Sequence, residues 1–293
     1  TKLVTSSGEP VFVVFSAMSG TTNSLVEISN YLYKKNPEGA NEVINKLEEK
    51  YMQHVEELYS TQEWKDNTHQ LLNDVFKYLR SFTKELFTSF EERIIVAQGE
   101  VISTNMVVNY LKEIGIKALL IDALDFMRTD KNAEPDAHYI KEHLSEIMSA
   151  NKGYQIYITQ GFICRNAYGE VDNLQRGGSD YTASLIGAAL MADEIIIWTD
   201  IDGMHNNDPR IVDKTEAVHQ LHFEEAAELA YFGAKILHPT CVQPAKFTGI
   251  PVRIKNTMDP EADGTVINNT LKRCAIKAVA AKDNIIAIKI KSS

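Results

Sequence analysis

The sequence predicts an α/β fold, a three-layer α/β/α sandwich with a mostly parallel central sheet. Three observations carry this. Short apolar runs recur along the chain, separated by stretches with helical spacing, and strands alternating with helices build parallel sheets covered on both faces. The first run, PVFVVFS, is apolar throughout, as expected of a strand buried on two sides. Residues 39–93 keep a helical period without a break, which predicts a helical insertion.

The elements follow in order. Pro10–Ser16 is the first strand. Ser19–Thr22 makes a polar turn, and Leu25, Val26, Ile28 and Leu32 restart at helical spacing. Within the insertion, Leu47, Tyr51, Val55 and Leu58 form one apolar stripe, and Leu71, Leu72, Val75, Phe76 and Leu79 form a second. Glu92–Leu111 continues as helix. Further strands are predicted at Ala118–Asp122, Gln155–Thr159, Glu194–Thr199 and Pro251–Lys255. A helix beginning near Phe223 runs into FGAKILHP, where His238-Pro239 stops or redirects it. After the turn-rich TMDPEADGT comes a short VIN run, and a boundary is placed near Lys272. Beyond it, Ile286, Ile288 and Ile290 alternate with Ala287, Lys289 and Lys291, as at the start of a new unit. The predicted domains are therefore 1–272 and 273–293. The chain opens at Thr1 and ends just after a strand-like run, and reads as a fragment of a longer protein.

Composition excludes several functions. A net charge of −10 argues against nucleic-acid or membrane-surface binding through bulk electrostatics. An anionic substrate would have to be held by local Arg, Lys and backbone N–H groups. The three cysteines are far apart and form no CxxC pair, which argues against zinc and disulfide frameworks and fits a reducing cytoplasm. No apolar run reaches the roughly 18 residues of a membrane span, and no signal peptide is recognisable. A cytoplasmic location is expected.

The chemistry concentrates in Leu174–Ala183, LQRGGSDYTA. Two glycines free the backbone to turn N–H groups toward an anion ahead of a helix N-terminus. Arg176 adds a fork suited to a carboxylate or phosphate, and Asp180 adds a fixed acid. Taken alone, the turn is equally a helix cap with Ser179 as its N-cap. Ser16, Ser19, Thr21 and Thr22 surround Gly20 after the first strand, and hydroxyls with backbone amides suit anionic oxygens. Glu100 sits inside an otherwise apolar helical stretch and needs a partner, either an incoming ammonium or an internal salt bridge. Thr199, Asp200, Asp202, Asn206, Asn207, Asp208 and Arg210 crowd the loop after the strand Glu194–Thr199. They lack the EF-hand order, and a nucleotide-contacting loop at a strand C-terminus fits better. Lys235 either complements a helix dipole or reaches a phosphate. His238, before a proline, reads as structural. Walker, Rossmann and protein-kinase signatures are absent from the sequence.

In order, SAMSGTTN, QGE, MRTD with EPD, TQGFI, RGGSDYTA, WTDIDG, DPR and FGAKILHP resemble the aspartate kinases of the amino acid kinase superfamily. The resemblance implies a carbamate kinase-like sandwich, with 273–293 as the beginning of an ACT regulatory region. It implies ATP-dependent phosphorylation of the β-carboxylate of L-aspartate to 4-phospho-L-aspartate, the first step toward lysine, threonine and methionine. Ser16, Thr22, Glu100, Arg176 and Ser179 resemble the aspartate-binding residues, and Asp180 the acid that organises the catalytic centre. Thr199, Asp200, His205, Arg210, Lys235 and Ile236 resemble the ATP side, although many relatives carry tyrosine where this chain has His205. Mg²⁺ would be held mainly by ATP phosphates, with no protein metal cage. An end-product amino acid effector and a homodimer or higher homo-oligomer are also implied. The family's Lys-Phe-Gly-Gly strand, whose lysine stabilises the transferring phosphoryl group, would precede Thr1. Competing readings are a glutamate, acetylglutamate or UMP kinase and a non-catalytic amino-acid-binding regulatory subunit. Glu100 with Arg176 favours a free α-amino acid, since an acylated amine has no use for the acid.

Overall fold

The apolar run after Pro10 forms strand β1 (Val11–Phe15), preceded by one helical turn, α1 (Lys2–Thr5). The structure is a computed structural model that describes residues 2–5, 8–84, 86–175, 177–208, 211–232, 234, 237–272, 276–281 and 284. Contacts divide it into two units, residues 1–190 and 191–293.

In the first unit, β1 leads into four long helices: α2 (Thr21–Tyr33), α3 (Pro37–Leu58), α4 (Gln62–Ser81) and α5 (Ser89–Glu113). Their ends follow local chemistry. Asn36 caps α3, accepting from the Gly39 N–H at 2.9 Å, with Pro37 in the first turn. Thr88 and Glu91 cap α5 reciprocally. Strand β2 (Ala118–Leu120), helix α6 (Ala137–Ala150), strand β3 (Ile156–Gln160), the hairpin β4 (Ile163–Arg165) and β5 (Val171–Asn173), and helix α7 (Gly178–Leu190) complete the unit.

The sheet runs β1-β3-β2, all parallel. Alternate strand residues serve opposite faces. Phe12, Val14, Leu119 and Tyr157 pack with Ile140 and Leu144 of α6 and Leu185 and Ile186 of α7. Val13, Phe15, Leu120, Ile156 and Ile158 pack with Val107, Val108 and Leu111 of α5. The unit is therefore layered helix, sheet, helix. A separate core joins α2 to α5 through residues such as Leu25, Ile44, Tyr51, Leu72, Phe76 and Ile102.

The second unit holds β6 (Ile195–Thr199), β7 (Met204–His205), β8 (Ala217–Val218), β9 (Gln220–His222), α8 (Phe223–Tyr231), α9 (Pro239–Thr248), β10 (Val252–Asn256) and β11 (Thr265–Asn268). Its sheet runs β6-β10-β11-β9, with β10 and β11 antiparallel and the other pairs parallel.

The predicted insertion is α3, α4 and the first turn of α5. The stripes differ from prediction at one place. Leu58 ends its helix and is exposed, while Tyr59 turns inward and donates its hydroxyl to the Met106 carbonyl at 2.6 Å. The helix begun at Phe223 stops at Tyr231, well before HP. His238 instead caps a new helix, α9, accepting from the Thr240 N–H at 3.3 Å. Ser179 is not an N-cap, because α7 already begins at Gly178. Residues 276–281 have no regular secondary structure, and the alternating isoleucines beyond them lie outside the described residues. Among the described residues no helix is long and apolar enough to cross a membrane.

Leu72 is fully buried in the helical core. Leu72→Ala should cost about 2–5 kcal/mol in urea unfolding. A loss below about 1 kcal/mol would mean that this core collapses around the deletion.

Candidate active site

In the first unit the parallel β1 and β3 end side by side, and the loops leaving them gather one group of candidate residues. After β1 the chain runs through Ser16–Gly20 into α2. Gly20 occupies the N-cap with φ 81°, and no side chain caps the helix. The first-turn N–H groups therefore keep no side-chain acceptor, and the helix end favours negative charge. Thr22 is exposed in this first turn.

A second helix end lies next to the first. Ser179 and Asp180 sit in the first turn of α7, and the Ser16 hydroxyl donates to the Ser179 hydroxyl at 2.7 Å. Gly161, which follows β3, donates its N–H to the Phe15 carbonyl at 2.9 Å. A Cβ on Gly161 would lie 2.2 Å from Ser179 Oγ, so only glycine permits this approach. The Phe162 N–H then donates to Thr182 Oγ1 at 3.0 Å, fixing the loop against α7.

Glu100 enters from α5. Its neighbour Gly99 allows the helix close to the loop, since a Cβ there would meet Ala17 Cβ at 2.8 Å. Glu100 is only 4% exposed. The Ala17 N–H reaches its Oε1 at 3.4 Å, while its Oε2 has no partner. Burial raises its pKa to about 7, because removing water disfavours the charged form. Burial likewise raises that of Asp180. Ser103, one turn further on, donates to the Ser16 carbonyl at 2.8 Å. Two hydroxyl-bearing helix ends and a buried carboxyl with one unmatched oxygen suit a small zwitterion.

Ser16, Glu100, Ser179 and Asp180, with Thr22 in the adjoining turn, are thus brought to one end of this sheet. Arg176 lies outside the described residues.

In the second unit, β6 and β10 run parallel and end together at Thr199 and Asn256. The Thr257 N–H and hydroxyl both donate to the Thr199 carbonyl, at 2.8 and 3.0 Å, and Thr199 Oγ1 reaches Asp200 Oδ1 at 3.3 Å. Asn256 donates to Asp202, holding the loop. His205 pairs with Ala217 across β7 and β8, and its Nδ1 lies 2.9 Å from Thr215 Oγ1. Arg210, Lys235 and Ile236 lie outside the described residues.

Sequence reasoning missed three supports. Tyr51, taken for stripe packing, has its hydroxyl 2.7 Å from Thr21 Oγ1 in the interior. Ser103 and Gly161 also went unread as contacts. Gly161 stood in the noted TQGFI loop, but its tight approach to Ser179 depends on a distant segment.

The model of the family described as "Amino acid kinase family" matches residues 1–256. Lysine-sensitive aspartokinase 3 of Escherichia coli (strain K12) is 33% identical over 96% of this chain and 63% of its own length. Aspartokinase 1, chloroplastic, of Arabidopsis thaliana is 34% identical over 97% of this chain and 52% of its own. Among solved structures, E. coli aspartokinase III in complex with aspartate and ADP superposes with a TM-score of 0.78 at 33% identity, covering 89% of this chain and 58% of that one. Aspartate kinase from Clostridium acetobutylicum gives 0.78 at 25% identity, covering 95% and 62%. The chain thus spans less than two thirds of each of these relatives. With the family match extending over most of its length and the parallel-sheet fold shared, the chain belongs to the amino acid kinase family.

Proposed function

We propose that this chain carries the catalytic part of an aspartate kinase, transferring the γ-phosphoryl group of ATP to the β-carboxylate of L-aspartate. The carrying observation is Glu100, a buried acid with one unmatched oxygen against the loop that leads into α2. An α-ammonium group completes it, whereas an acetylated nitrogen brings no charge. The E. coli relative that binds aspartate and ADP supports the choice.

In this reading Arg176 takes the α-carboxylate, with Ser16, Thr22 and Ser179 around the substrate. The attacking β-carboxylate is ionised at neutral pH, with a pKa near 3.9, so no general base is required. Phosphoryl transfer then rests on positioning and charge neutralisation. Asp180, a half-buried acid at the head of α7, organises the centre where a cation arrives with the nucleotide. Thr199, Asp200, His205, Arg210, Lys235 and Ile236 serve ATP. Mg²⁺ is commonly bound through one or two carboxylates, phosphates and water, and Asp180 is a carboxylate that fits such an ion carried by the nucleotide. Residues 1–272 form the kinase domain, and 273–293 begin an ACT region that takes an end-product amino acid and pairs copies of the chain. The location is cytoplasmic.

Three outcomes test this. The whole protein with MgATP and L-aspartate should give an acyl phosphate that hydroxylamine traps. The absence of aspartate-dependent product would overturn the assignment. Arg176→Ala should weaken aspartate binding by about 2–4 kcal/mol, and Lys235→Ala should raise the KM for ATP. Exchange of these two effects would reverse the assigned sides.

Glu100 supplies the third. Its ammonium-binding form is the carboxylate, so aspartate affinity should fall toward tenfold per unit as pH drops below about 7. Its folded pKa lies above the unfolded value, so the free protein loses stability as pH rises from about 4.5 to 7. Glu100→Gln should therefore stabilise the ligand-free protein at pH 8 by up to about 3 kcal/mol in urea unfolding, with no gain at pH 4 and with aspartate binding lost. Equal stability of the two proteins at pH 8 would contradict the raised pKa.

A further inference from the structure

The turn that begins α2 has no side-chain cap, yet two successive residues of the helical insertion hold it from outside. Lys50 of α3 donates its ammonium to the Ser19 carbonyl at 3.1 Å. Tyr51, the next residue, places its hydroxyl 2.7 Å from Thr21 Oγ1. The two contacts bracket Gly20, whose left-handed φ of 81° leaves the turn without a side chain. Tyr51 and Thr21 are both fully buried. The Tyr51 ring packs in the helical core, with Phe76 at 6.2 Å. The phenol thus joins an apolar body, fixed by the insertion, to a polar tip aimed at the turn.

We propose that Lys50 and Tyr51 are positioning residues for the amino-acid acceptor, acting through the α2 turn. Successive helical residues point about 100° apart. Anchoring Thr21 inward therefore sets the direction of Thr22 and of the first-turn N–H groups. A buried hydroxyl is costly to leave unpaired, so the Thr21–Tyr51 contact admits few alternatives. The inference rests on the aspartate kinase reading and adds a role for the insertion, which otherwise only completes a core.

Steady-state kinetics of the whole protein test it. Tyr51→Phe keeps the ring and removes the hydroxyl. It should raise the KM for aspartate about five- to twentyfold, with kcat and the KM for ATP within twofold. Thr21→Val should do the same, while Thr21→Ser restores the wild-type aspartate KM. Lys50→Met changes an exposed residue and, should the buried variants fail to fold, must show the same split at about two- to fivefold. An unchanged aspartate KM in soluble Tyr51→Phe, whatever its melting temperature, overturns the inference. So does a common shift of kcat and both KM values. A wild-type protein with no aspartate-dependent turnover overturns the functional reading and this inference together, whereas a normal wild type with unaffected variants overturns this inference alone.

Discussion

Helix α5 must bury opposite faces at once, and the first unit is arranged around that constraint. Val108 and Leu111 cover the sheet, while Ile95, Ile102 and Met106 enter the core shared with α2, α3 and α4. A helix apolar on more than one side cannot remain at a surface. The sheet alone covers only one of its faces, and the helices α2, α3 and α4 supply the other cover. Once the middle of α5 is enclosed, polar residues on its covered faces are buried with it: Glu100, Ser103 and Thr104.

The enclosure explains the electrostatics. The protein is acidic overall, so its general field does not attract anionic metabolites. Any attraction for an anion must then be local, and two helix ends, hydroxyls and a buried acid are gathered beside the ends of β1 and β3. The Ser16–Ser179 contact is central, because it fixes loops from distant parts of the sequence against one another. Gly161 makes the contact possible by lacking a side chain where Ser179 passes.

Much of this was legible in the sequence, and the limits have physical reasons. Periods of helix and strand depend on local pattern, so the long helices and the strands at Val11, Ile156, Ile195 and Val252 could be read directly. The hairpin of β4 and β5 and the pair of β7 and β8 were not predicted, because strands of two or three residues are too short to show a period. Glu100 was conspicuous as an acid in an apolar stretch. Tyr51 was not, because at helical spacing its ring satisfied the stripe and concealed the use of its hydroxyl. Leu58 and Tyr59 show the same blindness at a helix end, where the chain leaves the helical period and the next residue turns inward.

Glu100 also shows what the enclosure does to a charge. Burial lifts the pKa of this carboxyl to about 7, so the group is held between its protonated and ionised forms near neutral pH. A fully ionised, unpaired acid at this depth would instead destabilise the free protein, and a permanently protonated one would bind cations poorly. Burial with one weak backbone contact sets the group between these limits. An apolar group beside Oε2 would leave that oxygen unmatched, whereas a hydrogen-bond donor or a cation would satisfy it. The same enclosure of α5 that completes the core therefore also sets the charge state of Glu100.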